Sequence, residues 1–440
     1  MNLLTTLLGN KYFKFIFSLF VILTFMFGRS FMGIYIFEYR IGELTMGFAF
    51  LFLMYSFLNF KKVYLANNMS KEFVLVLFFI FCFFIINSFI SKSNFLDTYT
   101  FKSSSYVWSL GMFSFGILFF KINQLNKNFL KINYFILIFI YYYGVFGPPQ
   151  YFQDFVLEIS DKFEPHKGSD ILIIFAVIFY LNNKFFQNKR IVLEIFTIYS
   201  AIFAPLLLFK SRGAFIAFIF FITIEFFKLL KYFKSSLKRN LALTLATCIL
   251  FIQSVTIING SLFIKISQTE ENVKNIVEYR ADPDDEKFRL LFIEEDYWTK
   301  EMRIKSTDNN LNWRLQIWQD VYFDLNYKNM ILTGYGYKNK IPAMEIITRQ
   351  GLDRKNENVH NFFVNLYARG GLVHLMLFAL LYFYIIRDIY RATNEKYYLP
   401  LMITVFFTAF FDVAMENAHF PLIFYFVLGM SIHKKRIFAN

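Results

Sequence analysis

The residues best suited to chemistry lie in one stretch near the end of the chain, residues 356–371. It contains a histidine, His360, an adjacent amide, Asn361, and an arginine, Arg369, where a polar segment gives way to a long apolar one. Imidazole exchanges protons near neutral pH, so it is the ordinary general base for a hydroxyl nucleophile. The alternative is that these residues only cap a helix at a membrane surface.

A second candidate stretch is Ser211-Arg212-Gly213-Ala214, at the junction of two apolar runs. Ser211 can cap the following helix, and a helix N-terminus beside an arginine is an arrangement that binds anions. An arginine at this depth is costly unless it faces protein, water or an anion. The alternative is that Arg212 extends along the apolar surface to reach the membrane interface.

A third candidate is Arg314, in the polar segment 260–357. The pattern from residue 312 predicts an amphipathic helix whose apolar residues at 315, 318, 321 and 322 face inward. This phase places Arg314 off the apolar stripe, where it is either solvated or directed at a site. Gly334-Tyr335-Gly336 predicts a tight turn.

Three ionisable residues, Asp412, Glu416 and His419, follow a late apolar run. If the helix continues, spacings of four and three place them on one face. Ionisable residues at membrane depth are functional candidates, and the alternative is a polar cluster that joins helix ends. Glu416 and His419 are the next candidates after His360 for the base. The acidic run 282–285 resembles a metal-binding triplet, but its proline and neighbouring charges favour a solvated loop, so no metal site is predicted.

The composition defines the class of protein. Of 440 residues, 57% are hydrophobic and 18% charged, and apolar runs of about 18 residues recur, the length that crosses a bilayer. We predict an all-α, polytopic integral membrane protein with about twelve spans. Cys82 and Cys248 lie inside apolar runs, which suggests neither a disulfide nor a zinc site. The predicted spans are 13–35, 43–60, 73–90, 105–121, 132–147, 168–182, 190–208, 212–230, 240–259, 369–387, 397–413 and 419–433.

Charge in the connecting segments predicts orientation. Loops after even-numbered spans and both termini are rich in lysine and arginine, opposed by Glu72, Asp388 and Glu395, and the odd-numbered loops show no such bias. The positive-inside rule then places both termini in the cytoplasm. The net charge of +14 is therefore a topology signal, and no nucleic-acid partner is predicted. The predicted domains are spans one to nine (1–259), a large external loop (260–357), and an interfacial helix with the last three spans (358–440).

The order of these motifs resembles the O-antigen ligase and polymerase superfamily over roughly residues 195–385. The resemblance consists of Ser-Arg-Gly-Ala at 211–214 opening a span, Trp-Arg-Leu-x-x-Trp at 313–318, the Gly-x-Gly turn at 334–336, and His-Asn-x-Phe from His360. Two departures leave ligase and polymerase both open. Phe-Phe-Val follows Asn361 where ligases usually have a leucine a few places on. Arg369 stands where an uncharged or acidic residue often precedes the glycine.

The resemblance implies a bacterial inner-membrane glycosyltransferase of lipopolysaccharide biosynthesis. A glycan on undecaprenyl pyrophosphate would be transferred, on the periplasmic face, to a hydroxyl of the lipid A core or of another lipid-linked glycan. It implies inverting chemistry with no nucleotide sugar, cofactor or metal. Arg212 and Arg314 match the motif arginines and would stabilise the pyrophosphate, while His360 matches the motif histidine and would act as base. The predicted substrate-binding residues are Ser211, Asn361, Arg369, Glu416 and His419.

The competing class is a lipid-linked oligosaccharide flippase, which also has about twelve spans. A flippase needs charge along an interior route and usually shows two related halves. Here the long loop is single, late and external, and the polar signal lies on one side. A one-sided cluster of Arg212, Arg314 and His360 therefore favours an enzyme, whereas a central polar channel favours a flippase.

Overall fold

The protein is a bundle of apolar helices with two small β-hairpins. The computed structural model describes residues 2–94, 97–123, 127–160, 163–186, 188–229, 237–269, 290–296, 300–350, 356–416 and 418–433. The helices are α1 (Asn2–Gly9), α2 (Lys11–Met32), α3 (Ile41–Leu58), α4 (Phe60–Val63), α5 (Lys71–Ile90), α6 (Thr98–Ser103), α7 (Ser105–Trp108), α8 (Gly111–Ile122), α9 (Lys127–Phe146), α10 (Gln150–Ile159), α11 (Gly168–Phe185), α12 (Lys189–Lys210), α13 (Arg212–Leu229), α14 (Leu237–Thr269), α15 (Asn309–Tyr327), α16 (Phe362–Thr393), α17 (Tyr398–Phe411) and α18 (Phe420–Ser431). Two antiparallel hairpins pair β1 (Tyr35–Ile36) with β2 (Tyr39–Arg40) and β3 (Phe292–Glu295) with β4 (Met302–Lys305).

Every predicted span falls on a helix, which confirms a multi-pass membrane protein. Within the described ranges, eight helical segments are long and apolar enough to cross a membrane, or nine if α9 and α10 form one bent span. The last two helices, α17 and α18, have only 14 and 12 residues, about 21 and 18 Å against a hydrocarbon core of roughly 30 Å. The count of twelve spans stays a prediction.

Helix α11 occupies the centre of the bundle. Every one of its residues except Asp170 is buried, because its apolar side chains cover the whole circumference of the helix. It contacts α9, α12, α13, α17 and α18. The N-terminus of α11 therefore lies at one end of the bundle. Helices α13 and α18 also begin at this end, and α12 and α17 end there.

The two ends of the bundle differ in charge. At the end opposite the start of α11, the buried ammonium of Lys184 donates to the carbonyls of Ser431 and His433, and Lys228 donates to the carbonyl of Lys396. These lysines belong to the basic loops that the sequence predicts to be cytoplasmic. The residues predicted for chemistry lie at the other end.

The described part of the long polar segment from residue 290 onward folds against that other end. In a small apolar core, Ile317, Val321 and Leu325 of α15 pack with Met344 and Val359, which follow α15 in the chain. Two features differ from the prediction: α14 continues past residue 260 to Thr269, and the hairpins β1–β2 and β3–β4 are small exceptions to an all-α fold. Trp298 and the acidic run 282–285 lie outside the described residues.

Helix α16 is broken at Gly371, whose φ of 64° and ψ of −168° only glycine adopts readily. The predicted Gly-x-Gly turn fills the break. The amide of Tyr335 donates to the carbonyl of Ala368 at 2.7 Å, and the amide of Gly336 donates to that of Arg369 at 3.0 Å. These bonds satisfy carbonyls that the interrupted helix leaves without partners. Residues 362–370 thus form a separate helical piece, and its place at the membrane interface stays a prediction.

Replacing Gly371 should destabilise the protein. A Cβ at Gly371 would lie 2.2 Å from the backbone carbon of Leu332, and the positive φ adds strain of about 1–3 kcal/mol. We expect Gly371→Ala to lower the thermal midpoint of the purified protein. The control is Gly47→Ala in α3, where a Cβ meets no atom within 4 Å and should be neutral or stabilising by up to about 1 kcal/mol. Equal midpoints for the two variants would contradict this account of the break.

Cysteine labelling tests the orientation. In a chain with Cys82 and Cys248 replaced by alanine, Glu294→Cys on β3 should react with a membrane-impermeant maleimide in intact spheroplasts, because its side chain is 57% exposed on the predicted external segment. Lys62→Cys, exposed at the opposite end, should react only after lysis. The reverse pattern would invert the predicted topology.

Candidate active site

His360 is held immediately before the first turn of α16. The side-chain oxygen of Asn361 caps this helix, accepting from the amides of Phe363 and Val364 at 2.9 and 3.1 Å. The indole N–H of Trp318 donates to the carbonyl of Val359 at 2.8 Å. His360 itself has a φ of 52°, a conformation uncommon outside glycine and therefore maintained by these neighbours.

The imidazole of His360 lies between an indole and a carboxylate. Its ring is 5.2 Å from that of Trp313 in an edge-to-face arrangement, and its Nδ1 is 3.8 Å from Oδ1 of Asp412. The hydroxyl of Ser169 in α11 donates to Oδ2 of the same carboxylate at 2.5 Å. At 3.8 Å the contact of Nδ1 with Asp412 is too long for a hydrogen bond, and the buried Nδ1 has no hydrogen-bond partner among the described residues. The carboxylate that faces Nδ1 favours a proton on that nitrogen, which leaves Nε2 as the nitrogen that can take up a proton from an acceptor.

Asp412 is charged under all ordinary conditions. Burial would raise its pKa, but the hydrogen-bonding groups of His360 and Ser169 and the charge of Lys167 hold the pKa of this carboxyl well below its usual range. The carboxylate can therefore stabilise an imidazolium on His360.

Arg314 lies near enough to Asp412 for that carboxylate to contribute to its pKa. This agrees with the predicted alternative that Arg314 is directed at a site, but the phase of α15 differs from the predicted one. The buried residues of the helix are Ile317, Val321 and Leu325, and Arg314 continues that stripe three residues earlier, whereas Tyr322, predicted to face inward, is exposed. Aromatic residues on both faces of the helix made the pattern ambiguous.

The guanidinium of Arg314 is available for a ligand. Burial lowers the pKa of Arg314, although the nearby carboxylates of Asp412 and Asp308 partly offset this by raising it. The buried Nε of Arg314 has no hydrogen-bond partner among the described residues. Buried polar groups normally have partners, so an unpartnered guanidinium N–H is suited to an anionic ligand.

Arg212 lies at the rim of the same site. Ser211 caps α13, as predicted, its hydroxyl accepting from the amide of Ala214 at 3.3 Å. The side chain of Arg212 is 79% exposed and its Nη1 lies 3.5 Å from Oδ2 of Asp308, the residue that caps α15. Asp308 thus connects the rim arginine to the helix that carries Arg314.

Glu416 and His419 are more deeply buried than Arg212, and they do not share one helical face as the sequence predicts. The helix does not continue through them, because Asp412 is extended and its carboxylate accepts from the amide of Val413, which ends α17 at Phe411. Both carboxylate oxygens of Glu416 and both ring nitrogens of His419 are buried without a hydrogen-bond partner in the described part of the chain. Burial raises the pKa of Glu416 to about 8 and holds that of His419 well below its usual range, so both are neutral at pH 7.

Arg369 connects the long segment to the bundle. Its guanidinium is buried and donates to the carbonyls of Gly336 and Asn339, at 3.2 and 2.6 Å, and to the hydroxyl of Tyr99 at 2.9 Å. These contacts of Nη1 and Nη2 give Arg369 a structural role, while its buried Nε has no hydrogen-bond partner among the described residues. Its contact with substrate stays a prediction.

The sequence prediction missed the role of two residues. Asp412 was identified within the late ionisable cluster but given no function, and Ser169 was not identified at all. Only its place at the end of a predicted span, within a cluster of ionisable residues, marks Asp412 in the sequence. Ser169 carries no signal, because a serine in the first turn of a helix is ordinary.

The described residues thus define a polytopic helical membrane protein with a His–Asp pair and two arginines at one end of its bundle. The family model for O-antigen ligase matches residues 195–379. The match includes Arg212, Arg314 and His360 and confirms the predicted relationship to the O-antigen ligase and polymerase superfamily. Ser169 and Asp412 lie outside the matched residues. None of the curated proteins matches the chain.

Glu416 should make the stability of the protein depend on pH. The folded protein retains this proton at pH 7, because burial raises the pKa from 4.5 to about 8. A pKa higher in the folded than in the unfolded chain contributes stability that is fully present below the unfolded pKa of 4.5 and is lost as pH rises from there to the folded pKa of about 8. We expect the thermal midpoint of the wild type to fall more steeply with rising pH between these two values than that of Glu416→Gln, which is neutral throughout. Parallel curves would show that Glu416 does not titrate in this range.

Proposed function

We propose that this protein, which carries an O-antigen ligase domain, transfers a glycan from undecaprenyl pyrophosphate to a sugar hydroxyl on the periplasmic face of the inner membrane. The acceptor is the lipid A core for a ligase or another lipid-linked glycan for a polymerase. The observation that carries the proposal is the His360–Asp412 pair facing Arg314, whose buried Nε lacks a partner among the described residues. This combination provides a base beside a fixed cation, as an acceptor hydroxyl and a pyrophosphate leaving group require.

The reaction is a single displacement. The acceptor oxygen attacks the anomeric carbon of the donor sugar, its proton passes to Nε2 of His360, and the bond from that carbon to the phosphate oxygen breaks. The pyrophosphate leaves with the bonding electrons, and the configuration at the anomeric carbon inverts. Asp412 stabilises the imidazolium that forms, because its carboxylate faces Nδ1.

The arginines act on the leaving group. Arg314 is half-buried, so its charge is little screened and can stabilise the phosphate oxygens strongly. Arg212, exposed at the rim, contributes to capture of the donor more than to the chemical step. Arg369 is a positioning residue in this proposal, since its Nη1 and Nη2 donate to protein groups. Ser211 and the side-chain oxygen of Asn361 act as helix caps.

The flippase alternative has less support. It requires charged groups along a route between the two ends of the bundle. Here Arg212, Arg314 and His360 cluster at one end, and the central helix α11 is apolar around its whole circumference apart from its termini. Among the described residues no three potential metal ligands come together, and independence from metal remains part of the proposal.

Deletion and complementation test the function. Loss of the whole lipopolysaccharide ladder after deletion indicates a ligase, and a single-repeat product indicates a polymerase. An unchanged ladder, with the glycan shown to be made, would refute the proposal.

Variants of His360 test the mechanism in the same assay. His360→Ala should reduce transfer by about 10²–10⁴-fold, the usual effect of losing a general base. His360→Gln preserves hydrogen bonding but not proton transfer, so it should be equally inactive. His433→Gln is the matched control, because His433 contacts the carbonyl of Ile117 at the opposite end of the bundle. Near-normal transfer by His360→Gln would make His360 a positioning residue.

A further inference from the structure

Lys167 is a cation beside the His360–Asp412 pair that the mechanism so far leaves unused. It immediately precedes α11, two residues before Ser169, whose hydroxyl binds Asp412. Its ammonium and the Asp412 carboxylate lie close enough for their attraction to contribute to the pKa of both groups. Lys167 and Asp412 both lie outside the residues that the family model matches.

The backbone of Lys167 is fixed on both sides. His166 is buried, with its Nε2 2.9 Å from the carbonyl oxygen of Met26, and the amide of Lys167 donates to Asp170 at 3.1 Å. Gly168 packs against the start of α13, where a Cβ would lie only 2.9 Å from Cβ of Ser211. Gly168, the residue after Lys167, therefore packs closely against Ser211, the residue before Arg212.

The side chain of Lys167 is less constrained. It is 44% exposed, and its Nζ lies 2.8 Å from Oε1 of Glu164. The other oxygen of Glu164 binds Arg29. A half-exposed ion pair contributes little net stability, so the ammonium can change partners at small cost. Glu164 would keep Arg29 as its partner after such an exchange.

The charge at the site favours the exchange. Lys167, Arg212 and Arg314 come from three separate segments and surround Asp412 and Asp308, whose charges offset part of theirs. Burial would lower the pKa of Lys167, but Glu164, Asp412 and Asp170 raise it, so the ammonium is charged. A lipid-linked pyrophosphate carries at least two negative charges, which the two arginines alone neutralise incompletely.

We infer that Lys167 is a third ligand of the donor pyrophosphate. When the donor enters, the ammonium of Lys167 leaves the carboxylate of Glu164 and binds a phosphate oxygen instead. The inference rests on the proposed function, because it concerns the same donor. Glu164 is then a competing anion that occupies Lys167 in the free protein. The alternative is that the Lys167–Glu164 ion pair is purely structural and stabilises the packing of residues 163–167 against α2.

The two accounts predict different signs for paired variants. If the pair is structural, Lys167→Ala and Glu164→Gln both break it and change binding in the same direction. If Lys167 binds the donor, Lys167→Ala should weaken binding by about ten-fold, the loss of one charge-assisted hydrogen bond. Glu164→Gln should strengthen binding, because it removes the competing carboxylate.

The experiment measures binding of farnesyl pyrophosphate to the full-length protein in nanodiscs by isothermal titration calorimetry. Lys328→Ala on α15 is the matched control, since Lys328 is 43% exposed and pairs with Asp324 at 2.9 Å, almost as Lys167 pairs with Glu164. Arg314→Ala is the positive control for the donor site. The expected result is weaker binding by Lys167→Ala and Arg314→Ala, tighter binding by Glu164→Gln, and no change in Lys328→Ala.

The remaining outcomes separate the two proposals. If Arg314→Ala weakens binding while Lys167→Ala does not, the inference about Lys167 is wrong and the donor site stands. If Lys167→Ala and Glu164→Gln weaken binding alike, the pair is structural and the inference is again wrong. If the wild type binds no farnesyl pyrophosphate, the proposed donor and the role of Lys167 are both wrong.

Discussion

The break in α16 at Gly371 is the constraint on which the site depends. An unbroken helix would carry residues 362–370 straight on from the span, and His360 with them. The break instead leaves the carbonyls of Ala368 and Arg369 free, and the turn at Gly334 and Gly336 supplies the donors that satisfy them. A buried carbonyl without a partner is costly, so the turn and the break stabilise each other. His360 takes its position from that pairing.

The long polar segment therefore stabilises the break in α16 and also contributes functional groups to the site. Its turn supports the break in α16, and Arg369 reaches back from α16 to two carbonyls of the same segment. Its helix α15 contributes Trp318 to the backbone before His360, Trp313 to the ring of His360, and Arg314 to the site itself. The spacing Trp-Arg-Leu-x-x-Trp thus joins two residues that position the histidine to one that can bind an anion.

The sequence was informative where a local rule determines the structure. Ser211 and Asn361 cap helices because a short polar side chain satisfies free amides, and the Gly-x-Gly turn follows from the conformations that only glycine adopts readily. The apolar runs located the spans for the same reason.

Contacts between distant segments were not predictable in this way. Ser169 donates a hydrogen bond to Asp412 although the two residues are 243 positions apart in the chain. Nothing in the sequence around either residue predicts this contact. The orientation of Arg314 was left open between solvent and the site, because aromatic residues on both faces of α15 concealed the buried stripe. Arg369 resembled a ligand-binding residue in the sequence because its partners, two carbonyls and a tyrosine, become its neighbours only on folding.

The central claim is that one pyrophosphate site is formed by side chains from α15, from the start of α13 and from the segment before α16. A cryo-electron microscopy structure of the protein in nanodiscs with undecaprenyl pyrophosphate tests it most directly. The account predicts diphosphate density within hydrogen-bonding distance of Arg314 and adjacent to His360, at the end of the bundle where α11 begins. Density at the opposite end, beside Lys184 and Lys228, or along a route through the bundle would contradict it.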